Sequence, residues 1–253
     1  MSEQQQAILD YAIRLGDDSL VLGHRISEWV SYGPFLEEDI AYGNVALDYI
    51  GRARMFYSYA AELAADGKTE DYFAYTRDER QFCNLLINEL PKGDFAYSQV
   101  RQLLVDVYAS LYLAQLVNSN DTSLAAIAAK AIKETRYHLR RSRDWVLRLG
   151  DGTEESHKRT QLALDDLWGY THEMFEIDAL EQQLADAGIG VNSAGLRDSW
   201  HASVSEILTE ATLQVPEDSW KVRGGREGYH TESLGHLLTE LQFVNRSHPG
   251  CQW

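Results

Sequence analysis

The run KETRYHLRR, residues 133–141, sets Glu134 and His138 one turn apart on a single helical face, with no glycine or proline to interrupt it. A carboxylate and an imidazole aimed the same way are half of a metal site, or equally a hydrogen-bonded core pair. Two further carboxylates sit in comparable settings. At three-then-four spacing, one face of segment 36–66 reads Ala41, Asn44, Asp48, Gly51, Met55, Ser58, Glu62. One face of 96–119 reads Leu103, Asp106, Ser110, Leu113, Val117, and one face of 122–149 reads Ile127, Ala131, Glu134, His138, Arg141, Trp145. Burying carboxylates is expensive unless they are paired, protonated or metal-bound. Asp48, Asp106 and Glu134 at matching depth therefore point to a shared polar site inside a helical bundle.

The chemistry of such a site is that of the dinuclear carboxylate centre. It takes a Glu from each of two helices and a Glu-x-x-His from each of the other two, because positions i and i+3 project together. Here the pattern fails in two places. Asp48 is followed at i+3 by Gly51, which has no side chain, and Glu134 by Tyr137, with the histidine displaced to i+4. The first helix offers Asp17, Asp18 and Glu28 without a clear winner. A two-iron centre missing one imidazole outright and the other by register does not assemble. The expectation is a chain with no catalytic, cofactor-binding or metal residues, and a vestigial site at Asp48, Asp106, Glu134 and His138. Hydrogen bonds or ion pairs should replace iron there. His138 and Tyr137 are the nearest donors in sequence, and Arg52, Arg54 and Arg141 the available cations.

Other motifs carry less. RGGREGYH, 223–230, fits neither the P-loop nor the dinucleotide pattern and reads as a turn into a helix capped by Thr231. TRDERQF, 76–82, mixes both charge signs and reads as a salt-bridged connection on a short helix, or a docking patch. His157, His172, His201, His230, His236 and His248 form no cluster, and no serine or cysteine lies in a nucleophile motif. Tyr57, Tyr59, Tyr108 and Tyr112 read as core residues, with a partner interface as the alternative.

The elements that must position these residues are helices. Four prolines in 253 residues, long glycine-free stretches and no alternating strand pattern give an all-α fold. Helices are expected near 4–31, 36–66, 77–90, 96–119, 122–149, 154–187, 193–213 and 230–247. SYGPF, ADGKTEDY, ELPKGDF, NSNDTS (with a cap at Thr122 or Ser123) and LGDGTEES supply the breaks. The first, second, fourth and fifth helices make a four-helix core, 77–90 bridges its middle, and the remainder wraps outside. No linker is visible, so residues 1–253 read as one domain. A net charge of −16 argues against nucleic acid or an anionic membrane as partner. The first residues show no signal-peptide pattern, no apolar run approaches spanning length, and Cys83 and Cys251 have no metal-type spacing. Cytoplasmic residence is the expectation.

The blocks FLEEDIAYGNVALDYIGRA, YTRDERQFCNLLINELPKGDFA, AAKAIKETRYHLRRSRDWVLRLGDGT and GGREGYHTESLGHLLTELQ resemble the C-type subunits of the multicomponent phenylacetyl-CoA epoxidases (ring-1,2-phenylacetyl-CoA monooxygenases). The resemblance runs from about residue 15 to the terminal PGCQW. It implies a ferritin-like four-helix bundle with additional C-terminal helices. It also implies a role in aerobic phenylacetate breakdown, where the ring of phenylacetyl-CoA is epoxidised with O2 and reducing equivalents from NADPH. In that family the related A-type subunit holds the di-iron centre and binds the CoA ester, and a flavin and iron–sulfur reductase supplies electrons. The C-type subunit, without cofactor, scaffolds and stabilises the A-type one. The resemblance thus names the catalytic A-type oxygenase subunit as partner, with other epoxidase subunits and the reductase beyond it. The alternative is a catalytic di-iron oxygenase or oxidase with unusual ligands.

Overall fold

The computed structural model describes residues 1–251, and among them regular structure is helical, with no strand. The helices are α1 (Glu3–Ser27), α2 (Leu36–Ala64), α3 (Glu70–Tyr75), α4 (Leu86–Glu89), α5 (Phe95–Leu116), α6 (Thr122–Gly150), α7 (Glu154–Trp168), α8 (Ala179–Asp186), α9 (Arg197–Glu210) and α10 (Glu232–Ser247). The all-α class is as expected. The four longest helices are α1, α2, α5 and α6, as expected of a ferritin-like fold, and α7 to α10 are the additional C-terminal ones. No helix of the described residues is long and apolar enough to cross a membrane. The chain divides into two compact units, Met1–Pro91 with Arg223–Trp253, and Lys92–Val222.

In the first unit α1 starts at a capping box. Ser2 Oγ accepts from Gln5 N–H at 3.2 Å and Gln5 Oε1 accepts from Ser2 N–H at 2.9 Å. α2 returns antiparallel along α1, and glycines allow the approach. A Cβ on Gly16 would stand 2.4 Å from the Tyr57 ring, and one on Gly23 would stand 3.1 Å from Tyr49 Cβ. Trp29 stacks on Tyr42 at 5.2 Å where the hairpin turns. Leu9, Val21, Tyr57, Phe73, Phe82 and Leu234 share one apolar core, so α3 and α10 close over the α1–α2 pair.

In the second unit α5 is buried from Ala96 to Tyr108 apart from Tyr97. A helix covered on all sides needs neighbours all round, and α6, α7 and α9 supply them. Phe95 meets Trp145 edge-on at 4.9 Å, and Trp200 Nε1–H donates to Leu104 O at 3.0 Å. The α6 cap is Asp121, accepting from Leu124 N–H at 2.9 Å, rather than Thr122 or Ser123.

Two expected helices are broken. Segment 77–90 is a 3-10 turn at Glu79–Gln81, an extended stretch, and the single turn α4. Carboxylates of α1 take its amides: Cys83 N–H donates to Asp17 Oδ2 at 2.9 Å and Leu85 N–H to Asp18 Oδ1 at 2.7 Å. Those amides are unavailable to a helical ladder. Segment 154–187 stops at Trp168, where a Cβ on Gly169 would lie 2.2 Å from the Trp220 ring, and resumes at α8 behind the Asp178 cap.

Candidate functional site

Of the predicted site residues, Asp106, Glu134 and His138 lie on the α5–α6 hairpin of the second unit. Asp48 lies on α2 of the first. Asp106 is fully buried, His138 nearly so, and Glu134 partly. Asp106 Oδ1 accepts from Gln102 Nε2 at 2.7 Å, and its Oδ2 accepts from Ser142 Oγ at 2.9 Å. Gln102 is one turn back on α5, and Ser142 is one turn beyond His138 on α6. Neutral donors thus engage both carboxylate oxygens, compensating the burial of the charge. Two of the expected donors turn elsewhere. Tyr137 is half exposed and meets the His138 ring edge-on at 6.2 Å, while Arg54 points outward to Glu70 at 3.2 Å.

Asp48 corrects the sequence reading more sharply. Its supposed interior stripe is the open side of α2: Ala41, Asp48, Gly51, Met55 and Ser58 are part-exposed, and Asn44 and Glu62 exposed. The buried side is Tyr42, Val45, Ala46, Tyr49, Arg52, Ala53, Phe56, Tyr57 and Ala60. Asp48 is therefore part-exposed where a buried carboxylate was expected. Nor does the donor set suit iron. Gly51 offers nothing, Tyr137 points to solvent, and Asp106 is engaged by neutral partners. Among the described residues no three His, Cys, Asp or Glu side chains gather as a metal site.

A denser cluster, which the sequence left unassigned, lies in the first unit. Asp17 Oδ1 accepts from Tyr57 Oη at 2.6 Å and from Arg77 Nη2, and its Oδ2 from Arg77 Nη1 at 3.1 Å. Asp18 Oδ1 also accepts from Asn88 Nδ2 at 3.1 Å, and its Oδ2 from Arg226 Nη2 at 2.8 Å. Glu89 Oε2 pairs with His230 Nδ1 at 2.7 Å, and its Oε1 accepts from Thr231 N–H at 2.6 Å. Arg25 Nε–H donates to Glu89 O at 2.8 Å. The three acids tie the 77–89 segment and the 223–231 loop to α1.

The electrostatics follow from that packing. Burial pushes the Tyr57 phenol well up, and the Asp17 charge adds to it. Burial also raises Asp18, only partly offset by Arg226. Burial opposes the Arg77 charge, yet Asp17 holds the guanidinium above its ordinary range. His230 is raised although burial works against it, because Glu89 and Phe82 O both accept from its ring. With acceptors at both nitrogens, only the imidazolium form of His230 donates to both. These groups neutralise one another, and none is left as a nucleophile or base facing a substrate.

The two local motifs join this network. Arg77 of TRDERQF is buried against Asp17, while Arg226 and His230 of RGGREGYH reach Asp18 and Glu89. A Cβ on Gly228 (φ +76°) would lie 2.5 Å from Arg80 O, so that loop packs against protein backbone. Thr231 holds the N-cap position of α10 but makes no capping bond with its side chain. Tyr57, Tyr108 and Tyr112 are core residues.

A family model described as phenylacetic acid catabolic protein matches residues 1–253. The chain is also 49% identical over 243 residues to a protein of Escherichia coli (strain K12) named as the C subunit of 1,2-phenylacetyl-CoA epoxidase. That alignment covers 96% of this chain and 98% of the relative.

Proposed function

Because the chain belongs to the family of phenylacetic acid catabolic proteins, we propose that it is the C-type subunit of a phenylacetyl-CoA epoxidase. In this reading it acts in aerobic phenylacetate catabolism without performing the oxidation. The oxygen chemistry belongs to a di-iron A-type subunit, and this chain scaffolds and stabilises that partner in the cytoplasm. The likeness to the E. coli subunit over nearly the full length of both chains supports membership of the complex. The non-catalytic role rests on one observation above others. The best-buried carboxylate of the expected site, Asp106, is held at both oxygens by Gln102 and Ser142. A carboxylate satisfied by neutral hydrogen-bond donors needs no metal to offset its burial.

The chain contributes rigid surface and acidity. Buried ion pairs fix its non-helical segments, and the solvated exterior carries most of the net −16 charge. Metal analysis tests the reading. After iron-replete expression, the chain purified alone should hold only trace iron, and the A-type subunit should lose solubility or turnover without it. Two irons per isolated chain, or an A-type subunit equally stable and active alone, would overturn the assignment.

A further inference from the structure

Large apolar side chains concentrate on one exposed stretch of the first unit. Val30, Tyr32, Phe35, Leu36, Ile40 and Leu47 are each 47–70% exposed within 18 consecutive residues. Three of them form a line. At roughly 100° per residue, Leu36, Ile40 and Leu47 fall within about 40° of one another around α2. Gly43 continues the line, and the nearest atom to a Cβ placed on it would be Val30 Cγ2 at 3.8 Å, so Val30 is seated in the same stripe. One turn past Leu47, a Cβ on Gly51 would meet nothing within 4 Å.

The stretch is held in place. Trp29 N–H donates to Ile26 O, Val30 N–H to Ser27 O and Tyr32 N–H to Trp29 O, at 2.8–3.1 Å. Gly33 N–H donates to Asp39 Oδ2 at 3.2 Å, locking the loop against the first turn of α2. Behind it Trp29 and Tyr42 are buried and stacked, so the exposed residues are displayed from a packed base.

Area and charge identify the occupant. Taking about 200 Å² for a large side chain fully open, the six expose roughly 700 Å², above the largest apolar patch of an ordinary monomer. That approaches the ~800 Å² per partner of a standard interface. Acids border the line, with Glu37 and Asp48 on one side and Asp39 on the other. A second copy would bring two such rims, and two chains of net charge −16, into contact. A basic rim complements this one.

We propose that the open face of α2, Leu36–Ile40–Gly43–Leu47 with Val30 upon it, docks an amphipathic helix of a non-identical subunit whose apolar ridge is bordered by lysine and arginine. This rests on the epoxidase-subunit reading and adds where the partner sits. Gly51 leaves open space beside the line for a partner, and the six apolar side chains become its buried centre.

The full chain, tagged and co-expressed with the other subunits of its epoxidase complex, gives the test, with affinities titrated from purified components. The Leu36→Ser/Leu47→Ser double variant should lose about tenfold or more in affinity, since central apolar anchors dominate binding. Its helicity and melting should not change, because both side chains are exposed. Glu37→Lys, which leaves the apolar face intact, should weaken binding at low salt and much less at high salt. Undiminished binding by both variants overturns the docking face and leaves the epoxidase reading standing. A wild-type chain that joins none of the subunits overturns both. A wild-type homodimer dissociated by Leu47→Ser assigns the face to a second copy and likewise refutes the proposal.

Discussion

Replacing Asp17 by alanine removes the acceptor for four hydrogen bonds at once. Asp17 is fully buried and takes Tyr57 Oη, two nitrogens of Arg77 and the Cys83 amide. Arg77 is itself nearly buried, and its other hydrogen bonds, to Phe73 O at 2.7 Å, Gln81 O at 2.8 Å and Tyr57 Oη at 3.2 Å, are to neutral oxygens. Stranding such a cation costs about 3–5 kcal/mol. The Tyr57 hydroxyl and Cys83 amide would add about 1–3 kcal/mol each if nothing relaxed. The three losses overlap, because one rearrangement or one water serves several of the groups. The expected total is therefore about 4–6 kcal/mol, a large part of the roughly 5–15 kcal/mol that holds an ordinary domain together. Equilibrium urea unfolding reads it directly. Removing both charges, as Asp17→Ala/Arg77→Met, should recover about 2–4 kcal/mol relative to the sum of the single changes, because no buried charge is then left alone. An Asp17→Ala cost under about 1 kcal/mol, or strictly additive single changes, would refute the reasoning.

Protonation of His230 gives a pH signature. Its folded pKa lies above the ordinary 6.5, so its contribution is complete below that value and is lost as pH rises through the folded pKa. Unfolding free energy should fall over that window, and His230→Gln should flatten the fall; an unchanged slope would contradict the pairing with Glu89. Ser142→Ala removes one of the two donors to Asp106 and should cost about 1–3 kcal/mol in the same assay. Gly150→Ala should cost a similar ~1–3 kcal/mol, because the new Cβ would lie 2.3 Å from the Ala211 carbonyl oxygen, which is backbone.

Periodicity and breakers made the long helices legible, since each has a polar cap or glycine near its ends and sufficient length. The misread segments are those where a distant residue decides. Segment 77–90 has apolar residues at helical spacing and no breaker before Pro91. It fails as a helix because Asp17 and Asp18, some sixty residues earlier, take its amides. The orientation of α2 was ambiguous for a different reason. Apolar and small residues lie almost all round it, so Ala41, Gly51 and Met55 on one side looked as interior as Val45, Ala53 and Phe56 on the other. Tyr42, Tyr49 and Tyr57, read as a stripe seven and eight residues apart, would have located the buried side.

The buried face of α6 was legible, since Ile127, Ala131, His138 and Arg141 are buried. The setting of Asp48 was not legible. The acidic cluster was hidden because its partners, Arg77, Arg226 and His230, are scattered along the chain. An aspartate pair followed by Leu20 and Val21 on an apolar helix was the local sign of it.

The central claim is that this chain supports an epoxidase without carrying its chemistry. Turnover per intact complex, measured with Glu134→Gln and with His138→Ala in this chain, addresses it most directly. His138→Ala is expected to destabilise the isolated chain by about 1–3 kcal/mol, as loss of a buried polar partner does. Both complexes, once assembled, should epoxidise phenylacetyl-CoA at the wild-type rate. Loss of turnover with assembly and stoichiometry unchanged would place working chemistry on α6 and contradict the account.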